Sequence, residues 1–184
     1  VRRSPSFMAA VAFAVSLSAE EFKVNLDSPV PWKKITNYNN RLKIENGEVK
    51  GKKAVKVSFA NKDANSDTAF VLIAPDYPVK DKKMITVSFQ VLASDGLKNF
   101  GARNPRHVPG IRWFDADGQE IKPMTRFKLP AGNGEIQSFS QKCAVPPAAA
   151  VASLQIGFDN PNIAEGQIFA VADIQMSDFP QPQQ

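Results

Sequence analysis

Apolar and polar residues alternate in short runs along this chain, and no stretch after residue 19 carries a convincing helical period. In Val55-Lys56-Val57-Ser58-Phe59 the alternation is strict, giving one apolar face and one wet face. Met84 to Val91 repeats the pattern, with Ile85, Val87, Phe89 and Val91 on the inward side. The clearest strands are Phe22–Leu26, Arg41–Glu45, Ala54–Phe59, Ala69–Ala74, Met84–Ala93, Gly110–Asp115, Ile121–Phe127, Ile136–Val145, Ser153–Phe158 and Gln167–Met176, separated by Gly, Pro, Asn and Asp clusters. Such a series predicts an all-β fold, an antiparallel two-sheet β-sandwich of about eight to ten strands. The stretch Gly110 to Ile121 is the most legible. Ile111, Trp113 and Ile121 are β-formers, and Asp115-Ala116-Asp117-Gly118 supplies the turn between them.

Residues 1–19 break the pattern. Arg2 and Arg3 precede an apolar run from Phe7 to Ala19 that ends Ser16-Leu17-Ser18-Ala19, and acids first occur at Glu20 and Glu21. That is the layout of a secretory signal peptide, and it predicts a secreted or periplasmic, cell-envelope location. The run has 13 residues, short for a membrane span, and no membrane span is expected after its removal. Residues 20–178 then form one domain, and 179–184 a polar Pro/Gln tail.

Loss of Arg2 and Arg3 leaves 21 basic against 18 acidic side chains, a balance too even for a nucleic-acid footprint. Lys52, Lys53, Lys80, Lys82 and Lys83 flank strands and read as solvated turn residues. With a single cysteine, an internal disulfide is excluded, and Cys143 falls on the inward phase of its strand. Phe outnumbers Trp and Tyr, 13 against two of each, and a ring without a polar atom belongs in a core.

An ordered series of pieces carries a family resemblance: Trp32; Ile44-Glu45-Asn46-Gly47; Gly51 to Val57; the strand Ile85–Val91; the Trp-Phe-Asp-Ala-Asp-Gly hairpin; Cys143 to Ala149 leading into Leu154-Gln155-Ile156-Gly157-Phe158; and Gly166 to Ile174. Over most of residues 22–177 the chain resembles the galactose-binding-like β-jelly rolls, including the carbohydrate-binding modules of families four and nine. The resemblance implies a jelly-roll sandwich that binds sugar in a groove or at loop tips, often with a structural calcium ion. Ala172-Asp173 stands where that family usually has paired acids. Calcium is the one cofactor implied. Its candidate ligands are a carboxylate near the first strand (Glu20, Glu21 or Asp27) and Asp173, which interrupts the apolar run Ile168–Ile174 and reads as inward-facing. Glu21 with Asp173 is the preferred pair.

The connection from Ser94 to Pro109 is the leading binding candidate, because sixteen residues is long for a link in a compact domain. Its Asn99, Arg103, Asn104 and His107 offer planar donors and acceptors suited to sugar hydroxyls, and Phe100 offers a ring for an apolar sugar face. Tyr38, set among Asn37, Asn39 and Asn40 in what reads as a polar loop, is a second aromatic candidate. Trp113 is a third, although its alternation with Ile111 favours core packing. Asp115-Ala116-Asp117-Gly118 is not an EF-hand, whose glycine sits sixth and whose last ligand is an acid at position twelve; here that position is Arg126.

These features favour a non-catalytic module whose partner is a carbohydrate, glycan or polysaccharide. The alternative is a structural or protein-interaction sandwich contacting a catalytic or envelope protein. An enzyme fits least: a glycosidase needs two carboxylates facing each other about 5–9.5 Å apart, whereas the acids here fall mainly in turns.

Overall fold

The computed structural model describes residues 21–28, 32–38, 42–59, 69–97, 107–159 and 165–178. The expected signal segment 1–19 and the tail 179–184 lie outside these residues, as does 98–106, the middle of the long connection. The described strands are β1 (Glu21–Lys23), β2 (Lys34–Tyr38), β3 (Leu42–Val49), β4 (Lys52–Phe59), β5 (Ala69–Ile73), β6 (Tyr77–Pro78), β7 (Met84–Ala93), β8 (Gly110–Phe114), β9 (Glu120–Arg126), β10 (Ile136–Ala144), β11 (Val151–Asp159) and β12 (Ile168–Ser177). They form two six-stranded antiparallel sheets. The first runs β10-β7-β12-β4-β3 with β1 beside β12; the second runs β2-β5-β11-β8-β9 with β6 beside β11. The all-β sandwich read from the alternation is therefore the fold, with two more strands than the upper expectation.

Those extra strands mark where periodicity is weakest. Tyr38, expected in a polar loop with Asn37, Asn39 and Asn40, instead ends β2, which among the described strands pairs with β5 at the sheet edge. An edge strand can carry polar residues on both faces, so alternation is a poor guide to it. The two-residue β6 is too short to show a period.

The inward phase of each long strand builds one core. Ile85, Val87, Phe89 and Val91 are all 2% exposed or less. Phe70 of the second sheet meets Phe169 of the first with ring centroids 5.7 Å apart, a direct contact between layers. Phe89 stacks on Phe139 at 4.6 Å, and Phe127 closes the group at 5.1 Å from Phe139. Cys143 pairs in register with Ile85 and is buried, and burial pushes its thiol up to about 11. A thiol kept protonated is a poor nucleophile. An aromatic disulfide reagent at pH 8 is therefore expected to label Cys143 at least tenfold more slowly in the native protein than in denaturant; equal rates would overturn this placement.

The predicted hairpin is present, and its tip shows why the acids are there. Asp115 Oδ1 accepts the backbone N–H groups of Asp117 at 3.0 Å and Gln119 at 2.8 Å, while Gly118 takes φ +78° to close the turn. The Asp115 carboxylate holds backbone, as a turn former does.

Candidate functional site

In the second sheet, Phe70, Leu72, Ile111, Trp113, Leu154 and Ile156 face the core, each 1% exposed or less. The alternate positions lie on the opposite face: Val71 and Ile73 on β5, Ser153, Gln155 and Gly157 on β11, Arg112 and Phe114 on β8; Val71, Ser153, Gln155 and Gly157 are themselves buried, and Ile73, Arg112 and Phe114 are partly open. The antiparallel register sets Ser153 opposite Arg112 and places Gln155 between Ile73 and Gly110.

At one end of this face a ring, a cation and an anion are assembled. Arg112 Nε donates to Glu120 Oε1 at 2.9 Å across the β8–β9 ladder, and the guanidinium carbon lies 5.3 Å from the Phe114 ring centroid. The contact holds the Glu120 carboxyl below its ordinary pKa, chiefly through the hydrogen bond from Arg112. Both charged side chains remain partly open to solvent, Arg112 at 31% and Glu120 at 28%. Phe114 is half-buried and does not pack into the main core cluster.

At the other end, the last residues of the long connection lie across the sheet. Gln155 Nε2 donates to the carbonyl of Val108 at 2.8 Å, and Phe127 N–H donates to the carbonyl of Pro109 at 2.8 Å. The approach is close at Gly157, where a Cβ would stand 2.5 Å from the carbonyl oxygen of Phe70 and 3.0 Å from that of His107. Glycine is what lets the crossing segment sit this low.

The candidate residues divide accordingly. Trp113 is a correction: it is 1% exposed, its indole N–H donates to Thr125 Oγ1 at 3.0 Å, and it fills the core rather than offering a sugar platform. His107 is 7% exposed and buried where the connection reaches the sheet, so it is not an open loop ligand. Tyr38 ends β2 opposite Ala69, at the edge of this same sheet, and its side chain lies outside the described set. Asn99, Phe100, Arg103 and Asn104 also lie outside it. Arg112, Phe114, Glu120 and Gln155 were missed: each alternates with inward residues as any outer strand position does, and only the register between strands brings them onto one face.

Glu21 and Asp173 do not converge. Glu21 is opposite Ser177, four residues along β12 from Asp173, or about 13 Å at strand rise. Asp173 has φ +49° within the irregularity of β12 between Ala172 and Gln175, which turns it out of the expected inward phase, and it is exposed. Among the described residues, no three His, Cys, Asp or Glu side chains gather as a metal cluster.

No known sequence family and no curated protein sequence matches the chain. Solved structures do match its fold. The enzymatically active domain of bacteriophage CBA120 tailspike protein 4 is 12% identical with a TM-score of 0.55, the match covering 83% of this chain and 20% of that one. The chain thus spans about a fifth of that protein's length. The CBM22-1 xylan-binding domain of Paenibacillus barcinonensis Xyn10C is 6% identical with a TM-score of 0.47, covering 86% of this chain and 94% of that one. A family 29 carbohydrate-binding module of Piromyces equi is 11% identical with a TM-score of 0.40, covering 89% and 93%. These likenesses concern the fold. The modules belong to families 22 and 29, so families four and nine stay an expectation from sequence.

Proposed function

We propose that this chain is an exported, non-catalytic glycan-binding module, residues 20–178 after a signal segment 1–19, and that it takes sugar on the outer face of its second sheet. The observation that carries the reading is the Arg112–Glu120–Phe114 assembly, partly open to solvent at the β8–β9 end of that face. A pyranose presents hydroxyls that donate and accept around an apolar C–H face. A guanidinium fork, a carboxylate and an aromatic ring match those features. Gln155, tied to Val108, couples the long connection to the same surface.

Binding suits the face better than hydrolysis. A general acid must hold a proton near neutral pH, while Arg112 keeps Glu120 ionised. Asp115 is committed to the hairpin turn through its bonds to Asp117 and Gln119.

The test is a polysaccharide pull-down and glycan array with the wild type, Phe114→Ala and Arg112→Ala. Each variant is expected to lose about tenfold in affinity, roughly 1.4 kcal/mol, with the melting temperature nearly unchanged because both side chains lie outside the core. Undiminished glycan binding by both folded variants would move the site elsewhere. Failure of the wild type to bind any glycan would overturn the reading.

A further inference from the structure

The resemblance implies a calcium ion joining the first strand to the last, and the chain does bring acids from those two regions to one groove. β1 pairs with β12, and the ladder extends through Val24 N–H to the Ile174 carbonyl at 3.0 Å. The chain then turns, with Asn25 Oδ1 accepting the Asp27 N–H at 3.0 Å. Asp27 from this turn and Asp173 from the β12 bulge line an open groove of about 400 Å³ together with Asn25, Lys53 and Gln175.

The donor set does not fit a divalent ion. Calcium takes six to eight oxygen ligands, with carboxylates available to it. Here each acid already faces an ammonium group: Lys52 Nζ lies 2.9 Å from Asp173 Oδ2, and Lys53 Nζ is bonded to Asp27 Oδ1. The nearest further acid of the first strand, Glu21, is turned to Lys23 at 3.4 Å. Two ammonium groups in contact with the two carboxylates that line this groove among the described residues would repel a dication and leave it few oxygens.

We infer that Lys52 and Lys53 take the place of a metal ion here, supplying the positive charge that joins the turn after β1 to the bulge of β12. Their adjacency on β4 makes this possible. Neighbouring residues of a strand project to opposite faces, so one reaches the bulge and the other the turn. β4 is itself bonded to β12 through Ala54 and Val55. Turn, bulge and β4 are thus held by two ion pairs where a metalled sandwich would use one ion.

The experiment is thermal melting of the signal-free protein in calcium chloride and in chelator, at low and at high sodium chloride, for the wild type and for Lys52→Gln/Lys53→Gln. The wild-type melting temperature is expected to be the same in calcium and in chelator. The double variant is expected to melt about 2–4 °C lower at low salt, the shift of roughly 1 kcal/mol in a domain of this size. The gap should close at about 1 M salt, where exposed pairs are screened. A calcium-dependent rise in the wild-type melting temperature would overturn the inference. So would a double variant that melts with the wild type at low salt.

Discussion

Trp113→Ala is expected to lower stability by about 3–5 kcal/mol, the range for truncating a large buried aromatic. The indole is 1% exposed among Ile111, Leu154 and the rest of the inter-sheet core, and its N–H is already satisfied by Thr125. Removing it leaves a cavity and an unpartnered hydroxyl at once. Against a typical domain stability of about 5–15 kcal/mol the loss is large, and denaturant titration will register it directly. The comparison with Phe114→Ala is decisive because the two rings are neighbours on one strand, with opposite expected consequences. Loss of Trp113 should weaken glycan binding only as far as it unfolds the protein. A Trp113→Ala variant of near-wild-type stability that had lost binding would restore this residue to the ligand face.

Gly157→Val should be nearly as costly, for a different reason. Even one methyl there would stand 2.5 Å from the Phe70 carbonyl oxygen, with the His107 carbonyl oxygen at 3.0 Å, and both neighbours are backbone. A flexible side chain could move aside, but a strand and the segment crossing it can separate only by breaking contacts. Overpacking of this kind costs about 1–3 kcal/mol, and valine adds two further carbons to the clash. The displaced part is residues 107–109, so the Gln155–Val108 bond should loosen as well. Faster amide exchange near residues 107–109, with unchanged exchange in β7 and β12, would locate the damage; wild-type stability would show that the segment does not press on the sheet.

What the sequence disclosed, and what it hid, follows from how far each feature depends on neighbours along the chain. Val55 to Phe59 and Met84 to Val91 carry their own period, because central strands with one face in the core must alternate. The Asp115–Gly118 turn is local chemistry and could be read directly. Asp173 could not, since a single bulge reverses the phase of a side chain without leaving a mark in the pattern. Nor could β2, whose pairing is decided by β5 rather than by its own residues. The most conspicuous candidate in the sequence is the long connection 94–109. The polar residues of β8 and β11 looked like ordinary outward positions, and only the register between strands shows Arg112, Glu120, Phe114 and Ser153 to be neighbours.

The place of β12 bears on how the sandwich is made. It is the last strand described, yet it lies in the middle of its sheet, between β4 and β7 and beside β1. While the chain is being synthesised, β4 and β7 have a gap between them that no earlier strand fills, and each presents an open edge toward it. Closing that gap requires β12 to pair with both, setting Phe169 opposite Val57 and Ser177 opposite Thr86. Such long-range pairing is slow compared with local folding. The first sheet is therefore completed only when its final ten residues arrive, and until then it exists as two separate ribbons, β3–β4 and β7–β10, each with one open edge.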